Sequence, residues 1–179
     1  PLPSEEILQF RTVRNGVRVA EVVTPAVRQA ARNHFDCQEL PGAELESGEF
    51  LPLSINSSVI SCIGDHWERR LFKNDLMNPI VDENLMFDPR FSTITLAYFA
   101  DSGWYQVDLS RASLAAGWGR AAGCAFVEEA CIRDERVPPE YNAFFCDRVP
   151  DENSSTYASE IHGCTPDLTR KAQCALGSY

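Results

Sequence analysis

The chain has 179 residues, 44% hydrophobic and 23% charged, a composition that suits a folded protein with one good core or two small ones. Its formal net charge of −10 argues against a nucleic-acid partner, which would need clustered Lys and Arg; the basic clusters are no denser than the pairs Arg69-Arg70, with Glu68 beside it, and Arg170-Lys171. No apolar stretch approaches the roughly 20 residues of a membrane-crossing helix.

The opening Pro1-Leu2-Pro3-Ser4-Glu5-Glu6 is polar and lacks the apolar segment of a secretory leader. Because it does not start with Met, the chain is expected to begin inside a longer protein. The last residues, Ala175 to Tyr179, carry no hydrophobic tail of the kind removed in lipid anchoring.

In chain order, Val17-Arg18-Val19-Ala20-Glu21-Val22 alternates as a short strand. Thr24-Pro25 then predicts a helix start, with Thr24 accepting from a free N–H and Pro25 needing no donor. Val27, Ala30, Ala31 and His34 or Phe35 repeat at helical spacing, so 25–35 is predicted as an amphipathic helix closing near Asp36-Cys37. Leu40 to Gly64 reads as irregular loop. His66 to Met77 reads as a turn that becomes helical and stops at Asn78-Pro79. A second helix is predicted over 93–102, capped by Ser92 or Thr93 and ended by Gly103, with Leu96, Phe99 and Ala100 on one face. Beyond Trp104-Tyr105 helical periodicity fades and cysteines become frequent. A boundary is placed near residue 107, with a cysteine-stapled module from 108 to 179.

The seven cysteines, at 37, 62, 124, 131, 146, 164 and 174, form no Cys-x-x-Cys pair, which weakens structural-zinc and thioredoxin-like readings. Dispersed cysteines suit disulfides in an oxidising compartment, and the sequons Asn56-Ser57-Ser58 and Asn153-Ser154-Ser155 agree with that. The odd count leaves one cysteine free or paired outside the chain. Three pairs drawn from seven cysteines allow about 105 connectivities, and the spacing selects none of them.

The histidines are His34, His66 and His162, none at i, i+4, so the chain contains no His-Glu-x-x-His zinc helix. It also contains no Gly-x-Ser-x-Gly nucleophile elbow and no glycine-rich phosphate loop. From local sequence alone His66 reads as a loop histidine hydrogen-bonded beside Trp67, and Met77 as core filler. His34, late in the first helix, reads as a cation complementing the helix dipole, and His162 as a loop residue. Asp65, Glu68 and Asp75 read as solvated carboxylates or partners of Arg69, Arg70 and Lys73.

Longer strings change that reading. His66-Trp67-Glu68-Arg69-Arg70-Leu71, Met77 at its distance, and Thr95-Leu96-Ala97 leading to Asp101-Ser102-Gly103-Trp104-Tyr105 closely resemble leishmanolysin-like metallopeptidases. Val22 to Val27, Phe35-Asp36-Cys37 and Gly42 to Glu46 match the same family upstream. Trp118-Gly119-Arg120, Gly123-Cys124 and Arg170 to Cys174 match it downstream. The resemblance spans nearly the whole chain in order.

The resemblance implies an α+β fold, the C-terminal lobe of a metzincin-type catalytic domain over 1–107 followed by the cysteine-rich module over 108–179. It implies a Zn2+ endopeptidase as the parent protein, with His66 as the third zinc ligand and Met77 as the methionine of the turn beneath the metal. The general-base glutamate and the other two histidines lie outside the chain, so it holds no catalytic residue of its own. The expected partners are protein or peptide substrates, and the expected setting is extracellular or at the cell surface, with membrane association of the parent protein. The loop 47–63 departs from the family's shorter approach to the third histidine and adds Cys62, for which a Cys37–Cys62 disulfide is one expectation. The competing reading is a non-catalytic cysteine-rich adhesion or recognition module derived from a peptidase. A secreted disulfide scaffold unrelated to zinc is the third.

Overall fold

The computed structural model describes residues 6–46, 64–73, 75–79, 91–113, 117–134 and 136–145, together with the backbone of 162–164 and 171–173. Both sequons, the loop 47–63, Cys62, Cys146 and Cys174 lie outside these described residues. The architecture is α+β. Strand β1 (Leu8–Val13) pairs antiparallel with β2 (Val17–Val22), and β2 pairs antiparallel with β3 (Ala43–Glu44). Helix α1 (Pro25–Phe35) follows β2, and α2 (Thr93–Asp101) packs against α1. A 3₁₀ turn (Leu109–Arg111), the short helix α3 (Cys124–Glu128) and a second 3₁₀ turn (Pro139–Tyr141) come next. A small antiparallel pair, β4 (His162–Cys164) with β5 (Lys171–Gln173), closes the order.

The β1–β2 hairpin has its register set by Val13 opposite Val17. Arg14 and Asn15 both take positive φ, 47° and 60°, and Gly16 N–H donates to Val13 C=O at 3.1 Å. Asn-Gly suits this turn because both residues tolerate the left-handed region. Strand β3 occupies part of the stretch read from sequence as loop, and Gly42 makes the approach possible. A Cβ there would sit 2.0 Å from the carbonyl oxygen of Val22.

Helix α1 has the predicted bounds, and Val27, Ala30, Ala31 and Phe35 form its buried face. Thr24 stands at the N-cap, Pro25 follows at the first helical position and Asp36 closes the helix, as predicted, but the Thr24 side chain does not make the predicted bond. Instead the Asp101 carboxylate accepts from Ala26 N–H at 2.9 Å and Val27 N–H at 3.0 Å. That anion also lies at the positive end of the helix dipole. At the other end Ala121 N–H donates to His34 C=O (2.8 Å) and Gly123 N–H to Phe35 C=O (2.7 Å). Both ends of α1 are therefore satisfied by residues distant in sequence.

In α2 the Ser92 side chain accepts from Thr95 N–H, as predicted, and Gly103 follows the helix with φ 70°. The fully buried positions are Ile94, Thr95 and Ala97, whereas Leu96, Phe99 and Ala100 are half-buried. Packing against α1 and over Trp67, rather than apolar periodicity, selects that face.

One core runs from Val22, Val27, Phe35 and Leu40 through Trp67, Leu71 and Ile94 to Trp118, Phe126, Val137 and Tyr141. Phe126 stacks on Phe35 at 6.1 Å between ring centroids, and Gly119 (φ 70°) leaves room for both rings, since a Cβ there would lie 2.8 Å from each. Residues on both sides of position 107 thus share apolar contacts. They also share a covalent bond: Cys37, just past α1, is bonded to Cys124 at the start of α3. This overturns the Cys37–Cys62 expectation. The contact of Phe35 with the 119–126 segment brings Cys37 and Cys124 to a Cα separation of 4.9 Å, within the range a disulfide spans.

Candidate functional site

The site begins with a short extension of β3. Glu68 N–H donates to Glu44 C=O (3.0 Å), Leu45 bridges Trp67 in antiparallel fashion, and Glu46 N–H donates to His66 C=O (2.9 Å). Side chains alternate along such a ladder. Leu45 and Trp67 therefore face the core, where Trp67 is completely buried. Glu46 and His66, opposite one another, share the other face. His66 Nδ1 lies 3.2 Å from Glu46 Oε2, and both side chains are about a third exposed (38% and 33%).

The chain after His66 is a run of turns and not the predicted helix. Leu71 and Phe72 N–H both donate to Glu68 C=O, Asp75 N–H to Phe72 C=O and Asn78 N–H to Asp75 C=O. The run doubles back so that Met77 C=O accepts from Trp67 N–H at 3.0 Å. Met77 is thereby tied to the residue next to His66, and its side chain packs half-buried on the core.

A buried chain of hydrogen bonds holds this turn. Trp67 Nε1–H donates to Thr95 Oγ1 (2.9 Å), the Thr95 hydroxyl donates to Asp75 Oδ1 (2.7 Å), and Met77 N–H donates to the same oxygen (2.7 Å). Asp75 is not the solvated carboxylate read from sequence. Burial pushes its carboxyl pKa up, against the lowering effect of hydrogen bonds from Ser92, Thr95 and Met77. Glu68 accepts from Arg70 N–H through Oε1. Arg70 pairs with no acid among the described residues; it donates to Glu129 C=O and lies over the rings of Phe126 and Phe145. Lys73 Nζ sits 4.8 Å above the Trp118 ring.

His34 does not serve as a helix-end cation. Its Nε2 lies 2.8 Å from Trp118 C=O, and burial together with the charge of Arg120 favours the neutral ring. It is a strut between α1 and the 118–121 loop. The backbone of His162 lies in β4; its side chain is outside the described residues.

A second polar cluster stiffens the sheet behind the site. Glu21 and Glu44, cross-strand neighbours on β2 and β3, are both fully buried. Arg11 forks onto Glu21 (2.7 and 2.9 Å) and reaches Glu128 (2.8 Å). Arg14 forks onto Glu44 and donates to Val127 C=O at 2.9 Å. These arginines fasten the hairpin to α3.

Among the described residues no group of three His, Cys, Asp or Glu side chains is arranged to hold a metal. What the described residues offer is an imidazole whose Nδ1 is held by a carboxylate, the arrangement typical of metal-ligating histidine. That donor set fits one corner of a zinc site. Sequence reasoning singled out His66 and Met77 but not the contact of Glu46 with His66 or of Asp75 with Thr95 and Met77 N–H, because nothing in their spacing shows which face each occupies.

A sequence model of the leishmanolysin family matches residues 4–179. A leishmanolysin-like peptidase from Drosophila pseudoobscura pseudoobscura is 35% identical over 178 residues, 92% of this chain and 22% of that protein. One from Caenorhabditis briggsae is 33% identical over 158 residues, 87% of this chain and 21% of that protein. Leishmanolysin of Leishmania tropica is 30% identical over 184 residues, 97% of this chain and 25% of that protein. The chain thus spans about a fifth to a quarter of the length of these relatives. It belongs to the leishmanolysin family, a family of zinc metallopeptidases.

Proposed function

We propose that this chain is the C-terminal portion of a metzincin-type zinc endopeptidase, a catalytic-domain lobe over 1–107 followed by a cysteine-rich module over 108–179, contributing His66 as the third zinc ligand and Met77 as the floor of the site. The observation that carries this reading is the joint fixing of the two residues. His66 is braced at Nδ1 by Glu46, and the neighbouring Trp67 N–H is bonded to Met77 C=O. Neutral imidazole is a normal zinc donor, and a carboxylate on the opposite nitrogen orients the ring. When bound, zinc would lower the pKa of its water to about 7 and polarise the scissile carbonyl. The two remaining histidines and the general-base glutamate would come from a His-Glu-x-x-His helix elsewhere in the parent protein, so the chain alone is expected to be inactive. The substrates would be proteins or peptides. The Cys37–Cys124 disulfide supports a secretory-pathway or cell-surface setting, since such bonds persist in oxidising compartments.

The test is His66→Ala in the full-length protein, reading zinc content and peptide hydrolysis together. Loss of both is expected. Retention of zinc and activity overturns the ligand assignment. A parent sequence lacking either upstream histidine or the glutamate overturns the peptidase reading and leaves the adhesion or recognition module.

A further inference from the structure

We infer that Glu46 is a positioning residue for the metal site, selecting the tautomer and ring orientation in which His66 can ligate. This rests on His66 being a ligand, as proposed above. Three observations converge on it.

The first is register. Because Leu45 bridges Trp67, Glu46 and His66 stand opposite one another and project from the same side of the ladder. The core-facing pair, Leu45 (7% exposed) and Trp67 (0%), anchors the two strands so that neither can rotate its partner away.

The second is the rigidity of the Glu46 backbone. Its N–H donates to His66 C=O at 2.9 Å, its C=O accepts from Gly64 N–H at 3.2 Å, and Leu45 N–H donates to Ala20 C=O at 2.9 Å on β2. Glu46 is therefore the end of the three-stranded sheet's third strand carried forward to the site. A surface carboxylate on a free loop would lose side-chain and backbone entropy to make the same bond, and here the backbone part has been met by the fold.

The third is the chemistry of the contact. In the neutral ring, a carboxylate 3.2 Å from Nδ1 accepts a hydrogen bond only from the Nδ1–H tautomer, which leaves the lone pair on Nε2. Among the described residues Nε2 makes no hydrogen bond. The negative charge of Glu46 also raises the donor strength of the ring toward a cation. Glu46 does not ligate in this arrangement; it acts through His66.

The experiment uses the full-length protein with its upstream ligands. Zinc affinity is measured by chelator competition for the wild type, Glu46→Ala, Glu46→Gln and His66→Ala, alongside the melting temperature with and without zinc. Glu46→Ala should weaken zinc about 10–100-fold, the usual effect of losing such a partner. Glu46→Gln keeps a neutral acceptor and should recover part of that loss. The zinc-free melting temperature of both should match the wild type, because Glu46 is partly exposed and its main-chain bonds are unaltered, while the rise on adding zinc should shrink. Wild-type zinc affinity in Glu46→Ala, with affinity lost in His66→Ala, overturns the role of Glu46 and leaves the ligand assignment standing. Wild-type affinity in His66→Ala overturns the ligand assignment and this inference with it. Equal loss of zinc-free stability and zinc affinity in Glu46→Ala, with no recovery in Glu46→Gln, makes Glu46 merely structural and also overturns it.

Discussion

The Cys37–Cys124 bond closes a loop of 87 residues, and its removal is the sharpest quantitative test of the fold. In the chain-entropy description, a cross-link withdraws about 2.1 + 1.5R ln n cal/mol/K from the unfolded ensemble. For this loop that is about 15 cal/mol/K, or about 4.6 kcal/mol at 25 °C. A Cys37–Cys62 bond would have closed only 62 − 37 = 25 residues, worth about 3.5 kcal/mol on the same account. The perturbation is the double variant Cys37→Ala/Cys124→Ala. Alanine is preferred to serine because Cys37 is buried, and an unpaired hydroxyl there would add its own cost. Both sites change together so that no new thiol is left to mispair. Urea unfolding with linear extrapolation should show a loss of about 2–5 kcal/mol, the range measured for native disulfides, and a melting temperature lower by about 2–4 °C per kcal/mol. Peptide mapping without reduction should recover Cys37 linked to Cys124. A loss under about 1 kcal/mol would refute the reasoning, as would a fragment joining Cys37 to Cys62.

Two further perturbations follow from the buried charges. Arg14→Ala strips the fully buried Glu44 of its partner and should cost about 3–5 kcal/mol near neutral pH in denaturant unfolding, with Glu44→Gln restoring part of it in the double variant. Burial already pushes the Glu44 carboxyl up, so its folded form favours the proton. The Arg14→Ala penalty should therefore grow as pH rises through that carboxyl's folded pKa and shrink on acidification; a penalty that deepens in acid would contradict this. His34 has the opposite sign: burial pushes its pKa down, so the unfolded chain takes up the proton first. Wild-type stability should fall as pH drops below about 6.5, and His34→Gln should flatten that limb. An unchanged limb would remove His34 as its cause.

The sequence by itself determined what is local or compositional. The bounds of α1 follow from Thr24-Pro25 and the spacing of Val27, Ala30, Ala31 and Phe35; Ser92 and Gly103 mark the ends of α2; and the strings around His66 and Met77 give the family. Strand β1 was not read from the sequence, although Asn15-Gly16 ahead of β2 is a hairpin signal. Tertiary structure decided everything that depends on which distant segments meet. Thr24 lost the cap of α1 to Asp101 because α2 ends beside the first turn of α1. Cys37 found Cys124 because Phe35 packs on Phe126. Asp75, two residues after Lys73 in sequence, is buried because the Thr95 hydroxyl joins the local Met77 N–H in satisfying it once α2 crosses the turn. Glu46 and His66 are 20 residues apart, and no period in the chain pairs them. The ladder does so by putting Leu45 and Trp67 into the core, which leaves their neighbours to face one another on the other side.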